Sequence, residues 1–293
     1  MAGLFTSLAW GVVDITAALS GHRVGSLRTL AATQVISVVV LLGFIALDPA
    51  RLGSDPITGM TAGMPIGVLA GVAYLGYFTA LKLGPLAVVS PIIIAYGGLT
   101  VILAVLFRGE TLLPLQAAGA VLATAGVILT GVAFSRRSLR SARHVGPGVL
   151  IAFVTIGLFA LVTVFMSDPI REHGWLPVAV GSRLANASFV LILLAIGSRG
   201  STSLRPLMLP GNPWSRAAVL LVLATGLFDV AGYIAFAIGL EVAPVWLIGL
   251  ASSFGPVLAI GYAVWRMGER LRPTQWAGLA LLGVGVVVLA VSG

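Results

Sequence analysis

Cysteine is absent from the 293 residues, which excludes disulfides, thiolate metal sites and cysteine nucleophiles. Charge is scarce: Asp, Glu, Lys and Arg make up 9% of the chain, against about 25% in an ordinary soluble domain, so a water-soluble fold is excluded. His-Glu-x-x-His, Gly-x-Ser-x-Gly and Gly-x-x-x-x-Gly-Lys do not occur, and zinc-peptidase, serine-hydrolase and phosphate-loop chemistries lack their residues. The three histidines, His22, His144 and His173, fall in breaks between apolar runs. No metal and no cofactor are expected. The net charge of +8 is scattered over short loops rather than gathered on a stripe, so nucleic acid is not an expected partner.

What the chain has is apolar length, with 59% hydrophobic residues and a mean hydropathy of +1.10. A bilayer core about 30 Å thick takes roughly 20 apolar residues per helix. Ten such spans are expected, at 4–20, 27–47, 61–83, 86–107, 112–133, 147–167, 176–197, 217–239, 244–265 and 273–292. The first begins at Leu4 without the basic region a secretory signal needs, and reads as a retained span. The predicted fold class is therefore an all-α polytopic membrane protein of ten transmembrane helices.

The chain also matches itself. Shifted by 159 residues, the distance from Tyr74 to Tyr233, the stretch from Gly67 to about Leu129 aligns without gaps on the stretch from Gly226 onward. Leu81 falls on Leu240, Pro85 on Pro244, Gly109-Glu110 on Gly268-Glu269, Pro114 on Pro273, Gln116 on Gln275, Gly119 on Gly278 and Gly126 on Gly285. Each half holds five spans, and an odd number forces the second copy into the membrane upside down, the layout of inverted-repeat transporters. The expected domains are a first five-helix repeat at 1–134, a basic connecting loop at 135–146 and a second repeat at 147–293. Gly-Glu, Pro after three residues, Gln two further on and then Gly, once per half, resembles the EamA-type ten-helix branch of the drug/metabolite transporter superfamily. Trp10-Gly11 in the first span and Phe228-Asp229 with Tyr233 in the eighth carry the same resemblance. It implies a carrier of small metabolites with both termini in the cytoplasm.

Ionisable groups inside spans are functional candidates by default, and three stand out: Asp14, Arg183 and Asp229. Arg183 is expected to neutralise one acid, Asp14 being an even candidate, and the acid left over would suit proton coupling or a cationic solute. Asp229 is preferred for that role because its repeat counterpart is Ala70, which makes the acid an addition to the shared scaffold. Helical spacing puts Asp229, Tyr233, Phe236 and Leu240 on one face, and Ala70, Tyr74, Tyr77 and Leu81 on the matching face of the third span. Trp10 shares a face with Asp14, Asn186 lies one turn from Arg183, and Ser37 one turn from Gln34. The expected substrate-binding set is Trp10, Asp14, Tyr74, Tyr77, Tyr96, Arg183, Asn186, Asp229, Tyr233 and Phe236. Ser90, Ser252 and Phe254 are weaker candidates near the backbone breakers Pro91 and Gly255-Pro256. Glu110 and Glu269 read as structural acids near the helices that Pro114 and Pro273 open. Gly119 and Ala123 read as close-packing residues that seal the bundle, a dimer contact being the alternative.

The expected function is alternating-access transport of a small organic solute across the inner (plasma) membrane, with proton-coupled export of amino acid-like compounds as one form. Two acids against one arginine, among aromatics that attract cations, favour a cationic or zwitterionic solute with an apolar body. The alternatives are quaternary-amine uptake, a scramblase or scaffold role, and an intramembrane aspartyl protease using Asp14 and Asp229. Expected partners are the small-molecule substrate and the lipid bilayer, with the chain as a monomer and a homodimer as the alternative. Thirteen of the 17 Lys and Arg residues, including Arg136, Arg137, Arg140 and Arg143, fall on the side opposite both termini, and Arg51, Arg108 and Arg171 on the other. The positive-inside rule then puts the termini outside, against the family habit. Single cysteines in the 135–146 loop are accordingly expected to resist an impermeant thiol reagent in intact cells, and labelling there reverses the orientation.

Overall fold

The computed structural model of the protein describes residues 1–83, 93, 95–139, 147–199, 214–255 and 273–292. Ten α-helices run within them, one on each expected span: α1 (Ala2–Val24), α2 (Ser26–Leu47), α3 (Pro56–Leu83), α4 (Tyr96–Arg108), α5 (Pro114–Leu139), α6 (Pro147–His173), α7 (Trp175–Ser198), α8 (Arg216–Val242), α9 (Val245–Ser252) and α10 (Pro273–Ser292). Among the described residues, six stretches are long and apolar enough to cross a membrane: Ala2–Gly21, Ser26–Leu47, Pro56–Ala80, Leu150–His173, Trp175–Ser198 and Arg216–Val242. Ser90, Pro91 and Pro256 lie outside the described residues.

Several helices outrun their apolar segments. α3 starts five residues before the expected 61 because the Asp55 carboxylate accepts hydrogen bonds from the Thr58 hydroxyl and amide, completing a first turn that hydropathy alone does not show. Those bonds, the side-chain one foremost, hold the Asp55 carboxyl below its usual range; the cap is complete at neutral pH and is lost as pH falls through that lowered value. α1 and α2 are joined by Gly25 alone (φ 95°), and α6 and α7 by Gly174 alone (φ 84°). A left-handed φ at a one-residue joint needs glycine. These paired joints carry the internal repeat back into the first two helices of each half, where the gapless sequence alignment did not reach.

The helices form two compact units, Met1–Leu75 with Phe165–Ala243 and Gly76–Val164 with Pro244–Gly293. Each unit draws on both halves of the sequence. In the first, α1 and α2 pack on α8, and α2 on its repeat equivalent α7. Gly59, Gly63, Gly67 and Gly71 of α3 form a four-residue-spaced stripe against α7: a Cβ on Gly63 would strike the Val178 carbonyl, and one on Gly67 the Ser182 carbonyl. Gly181 answers from α7, where a Cβ would strike the Met60 carbonyl. In the second unit α4 packs on α9 and α5 on α10, both again pairs of repeat equivalents. Gly126 lies on the Leu282 amide and the Gly278 carbonyl, and Gly285 on the Ala123 amide and the Gly119 carbonyl. The small residues of α5 and α10 thus seal the unit by packing on one another. Large apolar side chains such as Phe5, Val39, Phe107, Phe153 and Leu220 are exposed, while Gln34, Ser37, Thr100, Ser182, Arg183, Asn186 and Asp229 are buried. That reversal of the soluble pattern is what a lipid solvent asks of a helical protein, since only the interior can satisfy polar groups.

The first copy of the repeated motif resolves into scaffold, while Gly268 and Glu269 of the second lie outside the described residues. Gly109 closes α4 in the left-handed conformation (φ 61°). Gln116 accepts the Leu113 amide at 2.9 Å, one arm of a capping box at the start of α5. Glu110 does not serve α5, as expected from its position, but reaches α9: its two carboxylate oxygens accept the Val245 amide at 2.8 Å and the Trp246 amide at 3.0 Å. An acid at that helix N-terminus satisfies two otherwise unpaired donors and meets the favourable end of the helix dipole. Glu110→Ala is expected to lower stability in detergent by about 1–2 kcal/mol, read as a fall in melting temperature. On α10 a Cβ at Gly283 meets nothing within 4 Å, so Gly283→Ala is expected to be neutral or stabilising by up to about 1 kcal/mol. Gly285→Ala is expected to destabilise, and equal behaviour of the two would refute the packing.

Candidate functional site

The polar interior of the first unit is organised by α7. The glycine stripe of α3 brings the two backbones into contact along α7 and fixes where Arg183 and Asn186 stand. Arg183 is 2% exposed. Its Nη1 donates to Gln34 Oε1 of α2 at 2.8 Å and lies 3.0 Å from Asp229 Oδ2 of α8. The guanidinium carbon lies 3.8 Å from the centre of the Tyr233 ring, a stacked cation–π contact. Asp229 also accepts long hydrogen bonds, from the Ser37 hydroxyl on Oδ2 and from the Tyr74 hydroxyl on Oδ1, both at 3.4 Å. The Tyr233 hydroxyl donates to Met166 Sδ at 3.7 Å.

The expectation that Asp229 stands without a cationic partner is overturned. It is the acid that pairs with Arg183, because α8 presents Asp229 and Tyr233 one turn apart and the guanidinium fits against both. Asp14 lies half-buried on α1. Trp10 and Phe236 do meet, with ring centroids 5.4 Å apart. A Cβ on Gly232 would come within 2.8 Å of the indole nitrogen, so the bare glycine lets the indole lie on α8, and Thr6 ties the same turn by donating to the Gly232 carbonyl at 3.1 Å.

Arg183, Asp229, Tyr233 and Tyr74 therefore converge, and Trp10 and Phe236 pack together a turn along α8. Tyr77 and Tyr96 belong to the second unit. The Tyr77 ring lies 5.4 Å from that of Phe78, tilted by 54°; the Tyr96 hydroxyl shares a 2.8 Å hydrogen bond with Ser252, and its ring lies 6.3 Å from Phe159. Phe254 is buried in that unit. Three members of the cluster lie outside the expected set. Gln34 and Ser37 form a polar face of α2, and the amide in the middle of that span is the signal. Met166 carries none, since a methionine in an apolar run looks like any packing residue.

Removing one partner of a buried ion pair strands the other charge, at a cost of about 3–5 kcal/mol. Asp229→Asn or Arg183→Gln is expected to lose that much stability, and the two together to recover most of it. A double variant as unstable as the sum of the singles would show that the pair is not the stabilising contact.

The family model of EamA-like transporters matches the chain over residues 1–132 and again over 146–291. A solved crystal structure of a protein with 22% sequence identity matches with a TM-score of 0.77, covering 99% of this chain and 96% of that one, a likeness of fold. No curated protein matches the chain. A multi-pass helical protein matched by the same family model in both of its halves belongs to the EamA-like transporter family.

Proposed function

We propose that the protein is an alternating-access carrier, resident in the inner (plasma) membrane, that exports a small zwitterionic or cationic organic solute with an apolar body. One observation carries the reading: a guanidinium and a carboxylate 3.0 Å apart, flanked by an amide, two tyrosines and a tryptophan–phenylalanine pair, inside helices otherwise built of apolar residues. Intramembrane charge of this kind marks substrate and ion pathways. The inverted duplication supports alternating access, because two related halves of opposite orientation can expose one site to either side in turn.

The pairing shifts the favoured charge class. With Arg183 and Asp229 neutralising one another the cluster is a dipole, and a zwitterion offers each its complement. Proton coupling follows from the same chemistry: a proton and a substrate ammonium both satisfy Asp229 and exclude one another, which is the competition antiport needs. The chain works as a monomer, its exposed apolar side chains meeting lipid. An aspartyl-protease reading has less support, since a dyad shares a proton between two carboxylates, whereas Asp229 Oδ2 faces a guanidinium.

Counterflow in liposomes tests the proposal. Saturable exchange of a labelled amino acid or quaternary amine, accelerated by an acidic trans side, is the expected result. Transport of a dianion with no response to amines or amino acids would overturn it.

A further inference from the structure

The buried ion pair has unmatched polar groups beside it. Arg183 Nη1 serves both Gln34 and Asp229, while Arg183 Nε, Asn186 Oδ1 and Trp10 Nε1 are buried without a hydrogen bond. Unmatched donors and acceptors are costly enough in a protein interior that each calls for an explanation. Their placement by sign supplies one. The acceptor, Asn186, stands one turn beyond the cation on α7, and both residues are 2% exposed. A helical side chain lies over the turn that precedes its own Cα, which puts the Asn186 amide over the turn of Arg183 and its unused Nε–H. The donor, Trp10, lies on Gly232 of α8, where a Cβ would come within 2.8 Å of Nε1. Asp229 is one turn back along that helix, about 5 Å away. Each unmatched group also faces a bare glycine. Gly63 and Gly67 admit the α7 backbone, whereas a Cβ on Gly71 would press on side chains, Asn186 Oδ1 at 3.1 Å and the Phe189 ring at 2.6 Å. Gly71 and Gly232 thus leave the amide and the indole room to turn.

We propose that Asn186 and Trp10 are positioning residues, reserve partners that hold the two charges when the ion pair is open. An acceptor beside a cation and a donor beside an anion are what each charge needs once it has lost the other. In the closed pair they stay unused, because Arg183 and Asp229 satisfy one another. The assignment rests on the carrier reading above, in which a proton or a solute cation takes Asp229 and so removes the counter-ion of Arg183. The guanidinium then keeps Gln34 and the face of Tyr233 and turns its Nε–H to Asn186. When a solute takes Arg183 instead, the carboxylate keeps the Ser37 and Tyr74 hydroxyls and gains the indole N–H. Either way the charge left behind has partners within the same unit, and opening does not strand it. Leaving the reserve groups unmatched in the closed form also raises its energy, which narrows the gap to the open form and keeps both states within reach.

The test is a set of melting temperatures of the purified protein in detergent, which needs no solute because substitution opens the pair. Asn186→Leu alone is expected to melt at or above the wild-type temperature, since an unmatched acceptor has gone. Made in the Asp229→Asn protein, the same change is expected to lower the melting temperature by at least about 2 °C, since it removes the acceptor to which the stranded guanidinium has turned. Trp10→Phe keeps a ring, loses the donor and is expected to show the same reversal between the wild-type and Arg183→Gln backgrounds. Asn186→Asp keeps the test decisive should Asn186→Leu fail to fold. In the Asp229→Asn background it is expected to restore stability, because it puts a carboxylate beside Arg183 on the same helix; a further loss there would show that position 186 does not reach the guanidinium. Equal shifts for Asn186→Leu in both backgrounds would make Asn186 a packing residue and overturn the proposal, and equal shifts for Trp10→Phe would remove the reserve partner of the anion. Equal shifts with intact counterflow would leave the carrier reading in place, whereas the predicted reversal without counterflow of any amine or amino acid would remove that reading alone.

Discussion

A guanidinium and a carboxylate withdrawn together from water are stable only while they remain in contact, and the first unit is arranged around that condition. The desolvation of Arg183 and Asp229 is offset by their 3.0 Å approach, by Gln34 at 2.8 Å and by the face of Tyr233. Such compensation is steep in distance, so the helices that bear the groups have to be held in fixed register. Lipid offers little hydrophobic drive between helices. Backbone proximity does the holding instead: the glycines of α3 lie on the carbonyls of α7, Gly181 lies on α3, and Gly232 admits the indole of α1. Where an aqueous protein would fix a charged residue with a large apolar core, this one fixes it with missing side chains.

The duplication explains why frame and chemistry separate so cleanly. Residues shared between the halves build the frame: Gly109 ends a helix, Gln116 caps the next, and Gly119 and Gly126 interlock with Gly278 and Gly285. The charge of the site comes from residues that differ between the halves, above all Asp229 where the first half has Ala70. The matched tyrosines show the divergence. Tyr74 donates its hydroxyl to Asp229, whereas Tyr233 lends its ring to Arg183 and its hydroxyl to Met166. Equivalent positions in an antisymmetric pair thus become two different instruments once a single acid is placed beside one of them.

Glu110 shows how a repeated residue can be structural in a way its neighbours in sequence do not reveal. Its carboxylate lies next to the start of α5 in the chain, yet caps α9, a helix from the other half. Long-range capping of this kind binds the two copies of the repeat into one compact unit, and an acid in the wrong half of the chain has no local signature by which to be recognised.

The sequence by itself determined the number of helices, their places, the duplication and the three intramembrane charges, because each depends on local hydropathy or on residue identity at fixed spacing. It also put Arg183 with Asn186, and Asp229 with Tyr233 and Phe236, since a helix fixes which of its own side chains share a face. Which acid meets Arg183 was beyond its reach, as were the role of Gln34, the partner of Glu110 and the division into units that cut across the repeats. Those depend on which helix lies against which, and that choice is made by backbone approach at Gly63, Gly67, Gly71 and Gly181. Only the tertiary structure brings the carbonyls of α7 to those glycines, and with them the one guanidinium to the one carboxylate that neutralises it.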